Sequence, residues 1–279
     1  MLTQKELQKL QIMSKDIRRT VLGMICKAHA SHIGSSYSAV ELLVYLYEKV
    51  LKIDPKKPFD ENRDRFILSK GWGVSTLYSI LAYKKFFHHS DLFSYCADGS
   101  KYFGIATKNG IPGIEATTGS MGHGLPVSIG MALGAKLKHQ THKIVVMIGD
   151  GELDEGSTWE AILHASHFKL DNILLIVDQN GWQSYGRTGK VLNTEPLGDK
   201  FEAFGWSVKK ADGHDFQSIE KACAAIPFQK DKPSVIIAKT IKGKGVSVFE
   251  DDNDWHYKTP REKEIQIALT ELGGKELTI

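Results

Sequence analysis

The stretch IGDGELDEGSTWE, residues 148–160, joins an apolar segment to a strongly acidic one. A run from Lys143 to Ile148 reads as a buried strand and stops at Gly149-Asp150-Gly151. Four more carboxylates follow within ten residues, namely Glu152, Asp154, Glu155 and Glu160. Glycines on both sides of Asp150 permit a tight turn and a close approach of the backbone to a phosphate. Taken alone, however, the tripeptide is as typical of an ordinary turn as of a site.

Short apolar runs alternate with amphipathic ones on both sides of this stretch. The predicted strands are residues 64–69, 143–148, 172–178, 206–211 and 233–241. The segments between them have helical spacing, and capping boxes are predicted for Ser38 with Glu41 and for Ser157 with Glu160. This alternation across short turns indicates an α/β fold, with a mostly parallel sheet and helices on both faces. Ligands of such sheets bind at the carboxyl ends of the strands.

The two ends of the chain add less. Residues 4–29 place apolar side chains at helical spacing, which predicts an amphipathic N-terminal helix, and residues 31–36 read as a polar loop. Residues 261–274 predict a last helix, followed by a loose C-terminal tail. Since no internal repeat or low-complexity segment interrupts the pattern, we expect one domain over residues 1–279.

Composition excludes several classes of protein. The net charge is only +3, without a basic stripe interleaved with aromatic residues, so a nucleic-acid-binding role is disfavoured. No apolar run approaches the roughly 20 residues of a membrane helix, and the charged N-terminus does not resemble a signal peptide. The three cysteines lack metal or redox spacing, which predicts reduced, buried thiols. We therefore expect a soluble, cytoplasmic protein.

A second polar residue pairs with Asp150. Asn180 comes just after the strand 172–178, thirty positions beyond Asp150. If the two strands are neighbours in a parallel sheet, both side chains lie at the same edge. A carboxylate and an amide oxygen, completed by water and phosphate oxygens, suit Mg²⁺ or Ca²⁺. The pair therefore predicts a divalent-metal site beside a bound phosphate.

The segment GDGELDEGSTWEAILHASHFKLDNILLIVDQN, residues 149–180, resembles the thiamine-diphosphate signature of the transketolase family. DRFILSKG, GIEATTGSMGHG, KTIKGKG and Trp255-His256 agree with that family in the same order along the chain. The resemblance implies the thiamine-diphosphate-binding fold, with thiamine diphosphate and Mg²⁺ (or Ca²⁺) as cofactors. It also implies transfer of a two-carbon ketol unit from a ketose to an aldose.

The resemblance assigns a role to individual residues. Asp150, Asn180 and the backbone carbonyl of Trp182 would hold the metal ion. His32 and His256 would transfer protons to and from the sugar hydroxyls. The cofactor contacts it implies are Ser35, Lys70, Gly119, Met121, Gly151 and Lys242. Read singly, His32 and the two lysines are more typical of surface residues, and Met121 of core packing.

Glu155 and Glu160 match acids that lie at the dimer contact of the family. Carboxylates brought close together raise one another's pKa, so this pair is expected to relay a proton, with Glu155 in a catalytic role and Glu160 near the cofactor. The resemblance implies that a second polypeptide supplies the pyrimidine-binding domain. The chain would then be the N-terminal subunit of a split enzyme, inactive alone, in a heterotetramer built on a dimer core.

Three positions depart from the family pattern. Trp72 stands where the family has histidine, and Ile105 stands in place of a second histidine. His123 replaces a usual glutamine. Tryptophan offers only an indole N–H and an apolar face, so we expect a less polar donor pocket that accepts a modified sugar. Two alternatives stay open: a polypeptide of another thiamine-diphosphate enzyme, such as a 1-deoxyxylulose-5-phosphate synthase or a 2-oxo-acid dehydrogenase, and a non-catalytic cofactor-binding partner.

Overall fold

The computed structural model describes residues 1–277, and its centre is a five-stranded parallel sheet. The strand order is β1-β2-β3-β5-β4. The strands are β1 (Arg65–Leu68), β2 (Ile144–Gly149), β3 (Ile173–Gln179), β4 (Ser207–Asp212) and β5 (Ser234–Lys239). The register places Gly149 opposite Asp178, so β2 and β3 end at the same edge. The predicted parallel sheet, and the neighbouring positions of these two strands, are therefore confirmed.

Ten α-helices surround the sheet in the described residues. They are α1 (Gln4–Ala28), α2 (Ile33–Ser38), α3 (Val40–Tyr45), α4 (Val74–Tyr83), α5 (Gly124–Leu137), α6 (Gly156–His167), α7 (Thr188–Val191), α8 (Leu197–Ala203), α9 (Phe216–Cys223) and α10 (Glu262–Leu272). Short 3₁₀ turns follow β1 and β2, at Gly71–Gly73 and Asp150–Asp154. No helix in this part of the chain is both long and apolar enough to cross a membrane.

Two hydrophobic cores cover the two faces of the sheet. Met147 and Ile176 point into the core formed with α1, α3, α4, α9 and α10. Val146 and Leu175, one residue earlier on the same strands, point into the core formed with α5, α6 and α8. Successive side chains of a strand face opposite ways, and both faces are buried here. The continuous apolar character of the strands follows from that double burial, as predicted.

Several local predictions were wrong. Most of the predicted loop 31–36 belongs to helix α2, because Ile33 and the serines after it are buried against neighbouring elements. Of the three thiols, Cys26 is buried but Cys96 is exposed. The tail predicted to be loose includes residues 278–279, which lie outside the described residues.

Neither predicted capping box forms, because tertiary contacts take up the side chains. Ser38 donates to the carboxylate of Asp178, and Glu41 pairs with Arg18. Ser157 donates to the carbonyl of Gly122, 2.8 Å away. Helix α6 starts after Glu155 with no side-chain cap. A local capping motif was outcompeted in both places by partners distant in sequence.

The double burial of β3 makes a direct prediction for stability. Ile176 is 1% exposed in the central strand, and Ile12 on α1 is 54% exposed. Ile176→Ala is expected to lower the free energy of unfolding by about 2–5 kcal/mol, through lost transfer energy and a residual cavity. The same substitution at Ile12 should change it by about 0.5 kcal/mol or less. Urea unfolding of both variants measures the difference, and equal losses would contradict this account of the core.

Candidate functional site

A cavity of about 210 Å³ opens at the carboxyl ends of β2 and β3. It is lined by all the predicted site residues except three, Glu155, Glu160 and Lys242. The predicted residues that it brings together are His32, Ser35, Lys70, Gly119, Met121, Asp150, Gly151, Asn180, Trp182 and His256. These residues come from six separate segments of the chain, and the sheet edge is what makes them neighbours.

Asp150, at one end of this cavity, is a buried carboxylate whose hydrogen bonds come from backbone N–H groups. Gly181 donates to it at 2.7 Å and Gly151 at 3.1 Å. Burial nevertheless raises the pKa of Asp150 to about 7, because the charged form is poorly solvated. Asn180 orients its Oδ1 toward the backbone N–H of Trp182. A divalent cation placed here would restore the missing solvation, so the predicted ligand set fits a metal ion.

This ligand set is poor in charge. Within residues 1–277 there is no group of three or more His, Cys, Asp or Glu side chains that could hold a metal ion. One carboxylate, one amide and one backbone carbonyl leave a hard cation such as Mg²⁺ short of oxygen ligands. The remaining oxygens would have to come from water and from a bound anion. The arrangement therefore suits a metal that binds together with a phosphorylated ligand.

Glu152, left without a role in the sequence, is a buried link between three loops. It is 1% exposed and accepts hydrogen bonds from Ser69 Oγ at 2.6 Å and from the backbone N–H groups of Gly122 and Gly149 at 3.2 Å. These three partners follow β1, precede α5 and end β2. Glu152 thus holds together the loops that carry Lys70, Met121 and Asp150. Its neighbour Asp154, also unassigned, accepts a hydrogen bond from Gln183.

Lys70 forms a buried ion pair with Asp178, a residue that the sequence analysis missed. Lys70 and Asp178 are 1% and 0% exposed in their side chains. The Lys70 ammonium also donates to Ser35 O and Ser38 Oγ, so its three donors are all used within the protein. In spite of burial, the ammonium of Lys70 holds the pKa of Asp178 below its usual range. The ion pair fixes helix α2, which carries Ser35, against the sheet edge.

Asp178 had a signal in the sequence, since an acid in the last positions of an otherwise apolar strand must be paired if it is buried. The predicted contact of Lys70 with a cofactor stays a prediction.

At the other end of the cavity, two neutral histidines lie beside a lysine. The rings of His32 and His256 are 5.0 Å apart between centroids. The ammonium of Lys242, buried just behind the cavity wall, donates to His256 Nδ1 at 3.0 Å and to Asn253 Oδ1 at 2.7 Å. Because Nδ1 of His256 accepts this bond, its proton sits on Nε2.

Burial and the nearby positive charges keep both imidazoles neutral. The pKa of His32 falls to about 4 and that of His256 to about 3, first because of burial and then because of Lys242. Burial, followed by the charge of Lys70, lowers the pKa of Lys242 to about 8. An anion bound between these groups would relieve the repulsion. This end of the cavity can therefore bind negative charge, and an anion bound there would raise the pKa of both imidazoles toward the neutral range in which they exchange protons most effectively.

The rim of the cavity contains residues that depart from the family pattern. Trp72 lines the cavity beside Gly149, and Ile105 packs on Gly119, whose φ of +128° favours glycine. Tyr185 and Tyr257 also line it, although they are 87% and 64% exposed. Neither tyrosine could be predicted from the sequence, because an isolated tyrosine in a loop carries no pattern. Three aromatic side chains, Trp72, Tyr185 and Tyr257, therefore line the cavity at its rim.

Glu155 and Glu160 lie away from the cavity. Glu155 lies beside Gly122, immediately before the first residue of α6. Glu160 is exposed on that helix. Their predicted place at a subunit contact and their proton relay stay predictions. A larger cavity, of about 810 Å³, opens beyond β5 and β4, but it contains none of the predicted site residues. We place the site in the smaller cavity, because Asp150 and the two neutral histidines face it.

Comparison with known proteins assigns nearly the whole chain to one family. Residues 9–277 match the family model described as "Transketolase, thiamine diphosphate binding domain". The chain belongs to the transketolase family. A subunit of the apulose-4-phosphate transketolase of Actinobacillus succinogenes is 42% identical over 265 residues, which are 95% of this chain and 96% of that protein. A subunit of the 6-deoxy-6-sulfo-D-fructose transketolase of a Clostridium species is 38% identical, over 94% of this chain and 96% of its own.

Solved transketolases share the fold of this chain. The enzyme of Campylobacter jejuni superposes with a TM-score of 0.90 at 32% identity, over 96% of this chain. The enzyme of Leishmania mexicana superposes equally well at 27% identity. The chain spans only 43% and 42% of those two proteins. It therefore corresponds to the thiamine-diphosphate-binding part of a transketolase, and the predicted fold class and family are confirmed.

The ion pair of Lys70 with Asp178 should dominate the stability of this transketolase domain. Lys70→Met leaves Asp178 charged and buried without a cation, which is expected to cost about 3–5 kcal/mol of unfolding free energy. Lys258→Met removes a surface ion pair with Asp254 and should have little effect, since both partners are largely exposed. Denaturant unfolding compares the variants. A small loss for Lys70→Met would contradict the structural role of the pair.

The raised pKa of Asp150 predicts how cation binding depends on pH. Only the carboxylate binds a metal, so a proton competes below pH 7, and Mg²⁺ affinity should fall by up to ~10-fold for each further pH unit. Titration calorimetry with thiamine diphosphate from pH 5.5 to 8.5 measures this slope. Asp150→Asn should bind Mg²⁺ weakly at every pH. Burial also raises the pKa of Glu152 to about 7, so Glu152→Gln is the control: it should keep the slope, since Glu152 bonds to Ser69, Gly122 and Gly149 and is not a proposed ligand. An affinity independent of pH would contradict a role for Asp150 as ligand.

Proposed function

We propose that this chain is the diphosphate-binding subunit of a two-chain transketolase that acts on a modified ketose. The observation that supports this most strongly is the pairing of two unmet charges across one cavity. Within the described residues neither Asp150 nor Lys242 forms an ion pair: Asp150 accepts bonds only from backbone N–H groups, and Lys242 donates to His256 and Asn253. A metal-bound diphosphate would supply both the cation beside Asp150 and the anion beside Lys242. Thiamine diphosphate with Mg²⁺ is accordingly the proposed cofactor.

The two-chain arrangement rests on the relatives. Two relatives named as subunits of an apulose-4-phosphate transketolase are covered by this chain over 96% of their length. The solved transketolases are instead covered over less than half. We therefore propose a partner chain that carries the pyrimidine-binding domain, with a heterotetramer built on a dimer core. The face with Glu155 and Glu160 is the proposed contact between the two copies of this chain.

Each group of residues has a distinct task in this proposal. Asp150, Asn180 and the carbonyl of Trp182 hold Mg²⁺, and Lys242 faces the diphosphate. Bound thiamine diphosphate supplies the nucleophilic carbon that takes a two-carbon ketol unit from a ketose and passes it to an aldose. His32 and His256 bind the sugar hydroxyls and accept or return their protons, which neutral imidazoles do at physiological pH.

A modified donor sugar is favoured by the aromatic rim. Trp72 replaces an imidazole with a larger, mostly apolar group beside Gly149, where an ordinary sugar phosphate would find fewer polar partners. The relatives point the same way, since their names refer to apulose 4-phosphate and to 6-deoxy-6-sulfo-D-fructose. The family match and these names favour transketolase over the other thiamine-diphosphate enzymes and over a non-catalytic partner.

The proposal predicts a substrate preference. With its partner chain, Mg²⁺ and thiamine diphosphate, the protein should show a higher kcat/KM for a modified ketose than for xylulose 5-phosphate with ribose 5-phosphate. Trp72→His should raise kcat/KM for xylulose 5-phosphate by ~10-fold or more, because a hydrogen-bonding site discriminates strongly between substrates.

Coupled assays of both ketoses, with and without the partner chain, measure these effects. High activity of the unaltered pair on the ordinary substrates would refute the modified-sugar part. Activity of this chain alone would refute the two-chain part.

A further inference from the structure

Three side chains meet behind the cavity wall and take no part in the site described above. Glu41 of α3 accepts two hydrogen bonds from the guanidinium of Arg18 on α1, at 2.6 and 2.8 Å. His214, in the segment between β4 and α9, bonds to the same carboxylate through Nδ1 at 2.9 Å. Arg18 is 4% exposed and Glu41 8%. Such an ion pair is costly to bury, so its connections to the rest of the molecule are informative.

Both partners of Glu41 also form hydrogen bonds to the same turn, residues 241–244, which follows β5. The backbone N–H of Ile241 donates to His214 Nε2 at 2.8 Å. Because that N–H can only donate, Nε2 is the acceptor and Nδ1 carries the proton given to Glu41. Arg18 Nε donates to the carbonyl of Lys244 at 2.7 Å. The two ends of the turn are therefore held by two side chains that share one carboxylate.

The backbone of this turn, and of Gly245 after it, packs closely against neighbouring elements. Gly245 has φ of +97°, and a Cβ there would lie 2.7 Å from Arg18 Nε. Gly243 also has a positive φ, and its N–H donates to the carbonyl of Gly34 at 2.9 Å. His214 and Arg18 thus bond to the first and last residues of the turn, and Gly243 between them bonds to Gly34 of α2.

Lys242 lies between the two held ends. It is 1% exposed, and the aim of its ammonium at His256 and Asn253 depends on where the turn sits. We propose that Glu41 is a positioning residue which acts through Arg18 and His214 to fix the turn 241–244, and with it Lys242, against the diphosphate. This inference rests on the proposed function for its ligand and on the hydrogen bonds alone for the turn.

The charge state of the anchor agrees with this role. Burial alone would raise the pKa of Glu41, but Arg18 and then the hydrogen bond from His214 bring it down to about 2. Glu41 therefore stays ionised across the neutral pH range.

The test compares two histidines, His214, whose side chain is 12% exposed, and the buried His142. His214→Ala removes the acceptor of the Ile241 N–H, whereas His142→Ala removes a side chain that is 8% exposed just before β2, at the opposite edge of the sheet. Glu41→Gln is the conservative variant if His214→Ala folds poorly, because it keeps the size of the side chain and weakens the bonds to both Arg18 and His214. Hydrogen–deuterium exchange of the amides of residues 238–249 is measured on each variant without cofactor. Thiamine diphosphate binding with Mg²⁺ is then measured by calorimetry on the complex with the partner chain.

The expected result is faster exchange of the turn and a rise of roughly tenfold in the Kd for thiamine diphosphate, for His214→Ala and Glu41→Gln but not for His142→Ala. Unchanged exchange in both site variants overturns the positioning role. Faster exchange with an unchanged Kd also overturns it, because the turn would then not serve the ligand. An equal rise in Kd for His142→Ala overturns it as well, by assigning the effect to general destabilisation. If the unaltered complex binds no thiamine diphosphate, the proposed function fails, and the exchange data alone decide whether Glu41 holds the turn.

Discussion

The buried pair of Lys70 and Asp178 is the interaction on which the site depends. Lys70 follows β1, Asp178 lies near the end of β3, and the hydrogen bonds of the pair extend to Ser38 on α2 and to Thr240 after β5. Two charges are tolerated in this apolar interior only because each is fully bonded. The pair therefore does more than neutralise itself. It locks the carboxyl ends of β1, β3 and β5 to the helix that begins beside His32.

Around this neutral centre, three other buried ionisable groups, Asp150, Glu152 and Lys242, form no ion pair within the described residues, and burial displaces the pKa of each toward its uncharged form. Asp150 and Lys242 each have a pKa displaced toward the uncharged form, and each faces the same cavity or its wall. Displacements of this kind are unfavourable for folding, and they cluster where a ligand supplies the missing charge. A cation at Asp150 and an anion near Lys242 would reverse both at once. The metal-bound diphosphate proposed above would therefore stabilise the charged forms of both groups.

A second layer of polar residues keeps these charges in place. Glu152 ties the three loops around Asp150, and Glu41 ties the turn that carries Lys242. Both are buried carboxylates with partners that are distant in sequence. The two ends of the site are therefore each held by one acid that does not line the cavity. Position, rather than direct contact, is the contribution of this layer.

The sequence by itself determined the parallel sheet, the meeting of Asp150 and Asn180 at one edge of it and the family, because these follow from period, spacing and motif. Short, continuous apolar runs that alternate with helices are typical of strands buried on both faces. One helix and one strand separate Asp150 from Asn180 in the sequence. Tertiary structure alone decided the roles of Glu41 and Glu152, and it supplied Lys70 as the partner of Asp178. Glu41 read as part of a local capping box, and it became instead a buried anchor for Arg18 and His214. The physical reason is that a carboxylate takes its function from the donors around it, and folding brought those donors from segments that no local pattern connects.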